Sequence, residues 1–150
     1  MKFVKLFLLL VTISFSTGLF GQLKETVHQT FEIDEAQSIN LDLAGDFEIV
    51  KWAGNTLMSK TYIELSDARP SILNYYLKDG RYELEGNASG DSFSLVAKDK
   101  NRRPIKYKNL TCYEYTKVVI YVPDDFVEAG KTSLVRQSED QIGASIDQRR

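Results

Sequence analysis

The feature that most constrains the fold is an alternation of apolar and polar residues along much of the chain. Val27, Phe31 and Ile33 are apolar with polar residues between them, and Ile39 and Leu41 resume the pattern after a short interruption. Successive side chains of a β-strand point to opposite faces of its sheet. A period of two therefore indicates strands that bury one face and leave the other in water.

Turn signals divide these alternating segments. Gly45 and Gly54 each stand beside an Asx residue, a pairing that tolerates positive φ and favours β-hairpins. The alternation then breaks at a segment where Pro70 suits a first helical turn and apolar residues recur at helical spacing. One short helix is expected over residues 71–77, and Gly80 suits the left-handed position that ends it.

Together these patterns predict an all-β fold, either a small antiparallel β-sandwich or a short β-solenoid-like stack, with one short helical turn. The β-strand domain is expected over residues 22–127. Its predicted core consists of apolar residues that share the buried side of their strands: Ile39, Leu41, Leu43, Phe47, Ile49, Ile63, Leu84, Leu95, Val118 and Ile120.

The last part of the chain has a different character. Residues 128–150 contain no aromatic residue and few apolar ones, so little apolar burial would offset the entropy of ordering them. A polar C-terminal tail is therefore expected. The alternative is a short helix built on the apolar residues of this segment: Leu134, Val135, Ile142 and Ile146.

The N-terminus has the order of a secretory signal peptide, which we assign to residues 1–21. A positively charged start is followed by the apolar residues 6–13 and then by small residues, with cleavage expected after Gly18 or Gly21. The apolar run is too short to span a bilayer, which needs about 20 apolar residues. The mature chain is expected to be exported without a transmembrane span, to the periplasm, the outer membrane or the cell exterior.

Charge and cysteine content limit the partners and the chemistry. Removing Lys2 and Lys5 with the signal leaves 17 basic and 21 acidic residues, a mild net acidity that argues against nucleic-acid binding. Cys112 is the only cysteine, so no disulfide can form within the chain, and a buried strand thiol is expected. His28 is the only histidine, and no motif supports a catalytic pair with Cys112.

One segment has a strong local charge bias. Residues 98–108 contain six cations and one acid, and the cations are Lys98, Lys100, Arg102, Arg103, Lys106 and Lys108. One interpretation is an anion-binding loop for an anionic lipid or an acidic polysaccharide. The other is a solvated loop whose charges protect a sheet edge from pairing with another chain.

The chain is also rich in tyrosine, with eight in 150 residues. The pairs Tyr75-Tyr76 and Tyr113-x-Tyr115 could offer an amphipathic contact surface for a protein partner or a sugar. The alternative is ordinary packing within strands and at their edges.

No catalytic motif accompanies these features. The sequence contains no glycine-rich phosphate loop, no set of metal ligands at metal-binding spacing and no serine nucleophile motif, so neither a cofactor nor a metal is expected. We therefore expect a non-catalytic envelope protein, an adhesion, surface or protein-contact module whose partner is an envelope lipid, polysaccharide or protein. An exported carboxylate-dependent glycan hydrolase is the alternative, because its acids come together only in space. Two carboxyl groups in a cleft would favour the hydrolase, and an exposed sheet face lined by tyrosines would favour the contact module.

Four stretches also carry a family resemblance: Phe31-x-Ile33, Ile39-x-Leu41-x-Leu43-Ala-Gly45-Asp46, Ile49-x-x-Trp52-x-Gly54-Asn55, and the apolar residues 118–122 closed by Pro123. Over residues 27–127 the chain resembles exported bacterial proteins of the adhesin-type β-strand-repeat family, which look like the head domains of autotransporter adhesins. The resemblance implies an envelope-associated β domain without assigned catalytic residues. The family continues into many further stacked strands, whereas only 27 residues follow Pro123 here, so a short or truncated member is expected.

Overall fold

A computed structural model describes residues 21–33, 35–107 and 109–137, and strands make up 59% of them. This confirms the predicted all-β class. The helix is α1 (Pro70–Lys78). The strands are β1 (Leu23–Glu32), β2 (Ser38–Asp42), β3 (Phe47–Trp52), β4 (Thr56–Ser66), β5 (Leu84–Ser89), β6 (Ser92–Ala97), β7 (Lys106–Tyr107), β8 (Leu110–Thr111), β9 (Tyr113–Pro123), β10 (Phe126–Gly130) and β11 (Ser133–Arg136).

The strands form two main sheets and a small ribbon. Sheet A has the order β1-β4-β9-β3, sheet B has the order β10-β11-β2-β6-β5, and β7 pairs with β8. Most neighbours are antiparallel, but β2 with β6 and β3 with β9 run parallel, so the expected antiparallel sandwich is in fact mixed. The reason is that each parallel pair joins strands that are separated in the chain by strands of the other sheet: β3 and β4 lie between β2 and β6, and β5 and β6 lie between β3 and β9.

The two glycine turns reverse or redirect the chain without forming hairpins. Gly45 has a φ of +83°, the left-handed conformation that favours glycine, and it lies where the chain leaves sheet B for sheet A. Gly54 lies between β3 and β4, but β9 is inserted between those two strands. The hairpin expectation is therefore wrong at both turns. At Gly54 the constraint is packing, because a Cβ there would come within 2.1–2.4 Å of the Trp52 ring.

The first hydrophobic cluster lies between the two sheets. Sheet B contributes Ile39 and Leu41, sheet A contributes Leu57 and Ile120, and all four are buried. Of the ten predicted core residues, only Ile63 belongs elsewhere, and Leu43, Phe47 and Ile49 are partly buried against this cluster. The period-two pattern thus identifies the inward-facing residues correctly.

A second cluster covers the part of sheet A that extends beyond sheet B. Strands β4 and β9 have eleven residues each, whereas no strand of sheet B has more than six. Helix α1 and the segments after it pack on Ile63 and Leu65 at the far end of β4, with Leu73 as the buried residue of the helix. Gly80 has a φ of +76° just beyond the helix, as its predicted role requires.

The strand domain extends past residue 127, where the sequence predicted the start of a polar tail. Strand β11 lies between β10 and β2, and Leu134 at its centre is fully buried. The Arg136 amide also donates to the Gln37 carbonyl at 2.8 Å. A strand inserted between two others needs few apolar side chains, because backbone hydrogen bonds hold both of its sides. The helical alternative is therefore wrong for Leu134 and Val135.

Several sequence predictions lie outside the described residues. They include residues 1–20 of the predicted signal peptide, and also Ile142 and Ile146 of the predicted tail. Within residues 21–33, 35–107 and 109–137, no helix is long and apolar enough to cross a membrane.

Candidate functional site

The outer face of sheet A carries a group of aromatic side chains. The even-numbered residues in the second half of β9, such as Ile120, point into the core, so the odd-numbered residues point outward. Tyr113, Tyr115 and Tyr121 therefore lie on the outer face, where Tyr62 of β4 joins them. We call this surface the tyrosine face and define it by these four tyrosines and the outward side chains between them.

The register between β4 and β9 brings two of these rings near each other. Tyr62 is opposite Lys117, and Tyr115 is opposite Glu64, so Tyr62 and Tyr115 are diagonal neighbours. Diagonal positions across an antiparallel pair lie about 7–8 Å apart, within reach of aromatic side chains. The rings are open to solvent, with 40% of Tyr62, 59% of Tyr115 and 73% of Tyr113 exposed.

Between the rings the surface is slightly hollowed. A shallow depression of about 450 Å³ is lined by Tyr62, Tyr115 and Tyr121, with Val50 and the buried Val119 as apolar lining. A second depression of about 290 Å³ adjoins it, because the two share Tyr115, Lys117 and Glu48 as lining residues. The tyrosine face therefore forms an elongated, open trough and not a closed pocket.

The charges of the outer face balance one another. Its outward positions carry three lysines and three glutamates: Lys24, Lys60, Lys117, Glu32, Glu48 and Glu64. Lys24 pairs with Glu64 at 2.7 Å and Lys117 pairs with Glu48 at 2.9 Å. The hydrogen bond to Glu48 raises the pKa of Lys117. Lys60 lies over the Tyr121 ring at 5.4 Å from its centroid. The outer face is thus polar but carries no net charge.

The opposite side of the same strands holds a buried ion pair. Glu114 is an inward residue of β9, and Arg81 donates to its two carboxylate oxygens at 2.8 Å each. Arg81 also donates to the Arg103 carbonyl at 2.8 Å and reaches Asp99 at 3.3 Å, and its side chain is only 5% exposed. Burial, the largest single cause, would raise the pKa of Glu114, but the interactions with Arg81, Tyr82 and Arg102 together outweigh burial and hold that pKa below its usual value.

Other polar groups extend this pair across the inner face. Arg102 donates from Nη1 to the Thr116 hydroxyl at 2.9 Å, and its guanidinium lies 5.5 Å from the centroid of the Tyr82 ring. Burial, the largest cause, raises the pKa of Tyr82 above its ordinary value, and the Glu114 charge acts in the same direction. We call the set the polar seam, and its members are Arg81, Tyr82, Arg102, Glu114 and Thr116.

The predicted anion-binding cations are distributed over different surroundings. Lys98 pairs with Glu83 at 2.9 Å, Lys100 pairs with Asp42, and Arg102 belongs to the polar seam. Arg103 and Lys106 are exposed, and Lys108 lies outside the described residues. Three of the six cations therefore have acidic or hydroxyl partners within the chain. Anion binding by this segment stays a prediction.

The groups considered for catalysis lie in different places. Both carboxylate oxygens of Glu114 accept hydrogen bonds from Arg81. Two sequence neighbours, Asp124 and Asp125, line a cleft of about 330 Å³, where Asp125 pairs with Arg136 at 3.3 Å. His28 is on the outer side of β1, whereas Cys112 is buried in the second cluster. The Cys112 thiol donates to the Asp67 carbonyl at 3.3 Å, and burial raises its pKa.

In the part of the chain that the structure describes, no three His, Cys, Asp or Glu side chains come together where they could hold a metal ion.

Sequence reasoning identified half of the tyrosine face. It singled out Tyr113 and Tyr115, but it grouped them with Tyr75 and Tyr76, which lie on α1, where Tyr76 packs against Arg81 with 5.0 Å between the guanidinium carbon and the ring centroid. Tyr62 and Tyr121 were missed as members of the surface. Their outward positions follow from the period of two, but their neighbours follow only from the register of β4 against β9.

Comparison with known proteins adds no relative, since no family model, no curated protein and no solved structure matches the chain. The case for a function therefore comes from the chain's own residues and their geometry.

Proposed function

We propose that the protein is a non-catalytic contact module of the cell envelope, related to the adhesin-type β-strand-repeat proteins, which is exported and binds an envelope component through the tyrosine face. The observation that carries this proposal is the exposure of three tyrosine rings on the outer face of a sheet whose inner face is covered. An aromatic ring that is exposed to water has an unfavourable hydration free energy, which a partner removes when it covers the ring, so exposed aromatic groups are favourable contact points.

The construction of sheet A supports a binding role for its outer face. Ladder hydrogen bonds to two neighbours hold β4 and β9, and the inner side of both strands is packed against the two hydrophobic clusters. The tyrosines therefore stand on a rigid platform, so binding would cost little backbone ordering. The ion pairs beside the rings, Lys24 with Glu64 and Lys117 with Glu48, leave the face without a net charge.

Envelope binding by variants of the tyrosine face tests the proposal. We expect the purified chain to co-sediment with an envelope fraction of the producing organism, and a Tyr62→Ser, Tyr115→Ser double variant to bind at least about tenfold more weakly, equivalent to about 1.4 kcal/mol. Tyr75→Ser is the matched control, because Tyr75 is 61% exposed but lies on α1. Equal binding by the double variant and the wild type would refute the proposed surface.

The export part of the proposal has its own test. Fractionation of the producing cells, followed by intact mass measurement, should recover a chain that begins at Leu19 or Gln22, after cleavage at Gly18 or Gly21. A full-length species that stays in the inner membrane would contradict export.

A further inference from the structure

We infer that the ligand of the tyrosine face is an uncharged polysaccharide chain. This inference rests on the proposed function and names the chemical class of the envelope component. Three observations lead to it: the kind of side chains on the face, the balance of their charges and the shape of the surface between them.

The side chains of the face match the surface of a sugar ring. A pyranose presents C–H groups on its broad side and hydroxyl groups around its rim. The broad side packs on an aromatic ring, and the exposed rings of Tyr62 and Tyr115 offer two such platforms at diagonal positions. The phenolic hydroxyls, with the Lys117 ammonium and the Glu48 carboxylate beside them, can donate to and accept from the rim hydroxyls.

The charge balance favours a neutral ligand over an anionic one. Each of two lysines is already paired with a glutamate on the same face, and Lys60 lies over the Tyr121 ring. An anionic polymer on the trough would meet Glu48 and Glu64 as lining groups and would find their lysine partners occupied. With equal numbers of both signs, the face also provides no field that would attract a distant anion.

The shape of the surface favours a chain over a compact molecule. The two adjoining depressions share Tyr115, Lys117 and Glu48, so together they form one open trough. From Tyr115 to Tyr121 the strand rises by six residue steps, or about 20 Å at the rise of a β-strand. That length accommodates several consecutive sugar units.

The same face is a poor core for a protein interface. The centres of stable protein–protein interfaces are depleted in lysine and glutamate and are closely packed over about 1,000 Å² or more. Here lysines and glutamates stand between the tyrosines, and the depressions are shallow and open. A protein partner would have to desolvate the Lys117–Glu48 pair, whereas a sugar chain can hydrogen-bond to it with hydroxyl groups.

Treated envelopes distinguish this inference from the proposed function. The purified chain is added to envelopes of the producing organism that are untreated, digested with protease, or oxidised with periodate, which cleaves vicinal diols of sugars. We expect binding to survive protease and to fall at least tenfold after periodate. Binding that is lost with protease and survives periodate would overturn the polysaccharide ligand and leave the contact module standing. No binding to untreated envelopes would overturn the contact module itself.

The charge of the ligand is tested with the extracted polysaccharide. Envelope polysaccharide is separated by anion exchange into neutral and acidic fractions, and each is included in a native gel. We expect the neutral fraction to retard the wild type and the Tyr75→Ser control, and to leave the Tyr62→Ser, Tyr115→Ser variant unretarded. Vesicles containing phosphatidylglycerol serve as the anionic lipid probe. Retardation by the acidic fraction alone, or binding to these vesicles alone, would overturn the inference.

Discussion

Adjacent residues of β9 belong to two regions of the molecule, one of which is buried and the other exposed. Glu114 points inward, where Arg81 holds both of its carboxylate oxygens, whereas Tyr113 and Tyr115 on either side of it point outward and are exposed. In the polar seam the side chains are tied to one another across β9, the 81–82 segment and the 102–103 segment. On the tyrosine face the rings of Tyr113 and Tyr115 keep most of their surface in water.

The difference shows that a cluster of charge in the sequence need not be a binding surface. Residues 98–108 have the strongest charge bias in the chain, yet Arg102 lies against Tyr82 and Thr116, and the Arg103 carbonyl accepts from Arg81. The tyrosine face has no sequence cluster that covers all of its rings, because Tyr62 is about fifty residues from Tyr115 in the chain. Part of the basic segment 98–108 therefore stabilises the fold, whereas the exposed tyrosine face is assembled from two strands, β4 and β9.

The largest effect is expected from breaking the polar seam. Arg81→Ala leaves Glu114 buried without its partner, so we expect the free energy of unfolding to fall by about 3–5 kcal/mol, as for other broken buried ion pairs. Lys117→Ala, which breaks the exposed pair with Glu48 on the tyrosine face, should have a much smaller effect. Urea unfolding measures both.

An apolar replacement checks the reason for that loss. The double variant Arg81→Met, Glu114→Leu removes both charges, and we expect it to recover much of the stability that Arg81→Ala loses. If the double variant is less stable than Arg81→Ala, the loss comes from packing around Arg81 and not from an unpaired carboxylate.

A substitution in the hydrophobic core, outside both regions, should lower the free energy of unfolding by an amount similar to that of Arg81→Ala. Leu134→Ala removes a fully buried side chain of β11, and we expect it to cost about 2–5 kcal/mol. Val135→Ala is the matched control on the same strand, because Val135 is 39% exposed and should change stability by no more than about 0.5 kcal/mol. Equal effects of the two substitutions would contradict the insertion of β11 into sheet B.

The pH dependence of stability tests the role of Glu114 in the polar seam. The pKa of Glu114 is lower in the folded chain than its ordinary value, so its charge stabilises the fold above the unfolded pKa of about 4.3. That contribution is lost as the pH falls through the folded pKa. We therefore expect the difference in unfolding free energy between the wild type and Glu114→Gln to be large at neutral pH and to shrink below about pH 4. A difference that stays constant from pH 7 to pH 3 would contradict this assignment.

A smaller effect is expected from the basic segment, where neighbouring arginines differ. Arg102→Ala loses the hydrogen bond to Thr116 and the contact with the Tyr82 ring, which should cost about 1 kcal/mol. Arg103→Ala removes an exposed side chain and leaves the carbonyl that Arg81 uses, so its stability should stay within about 0.5 kcal/mol of the wild type.

Binding to phosphatidylglycerol vesicles tests the anion-binding prediction for the same segment. An Arg103→Glu, Lys106→Glu variant keeps the seam intact and reverses two exposed charges. An anion-binding loop would be supported if the wild type binds the vesicles, if this binding weakens with salt, and if the variant binds more weakly than the wild type. Absent or unchanged binding would make the segment a solvated surface.

The smallest effect on stability is expected on the tyrosine face. Tyr115→Ser replaces a ring that is 59% exposed, so the free energy of unfolding should change by no more than about 0.5 kcal/mol. Envelope binding should fall in the same variant. A loss of binding without a loss of stability indicates that the residue belongs to a contact surface. A loss of stability as large as that of Arg81→Ala would show that the ring has a structural role.

The local features of the fold follow from the sequence by itself. The period of two identifies the inward side of each strand, from Ile39 to Ile120, because neighbouring side chains of a strand cannot share a face. Pro70 and Gly80 mark the two ends of the helix, because φ is restricted at the first and free at the second. The outward position of Tyr115 follows from the same period.

Only the tertiary structure decides which strands become neighbours. No local signal shows that β9 enters between β3 and β4, or that β11 enters between β10 and β2, because these pairings join residues far apart in the chain. The same pairings place Tyr62 beside Tyr115. The 81–82 segment likewise reaches β9 only through the fold, so the partners of Glu114 could not be derived from residues near it in the sequence. The period of a strand depends on its own backbone, whereas its neighbours depend on how the whole chain buries its apolar surface.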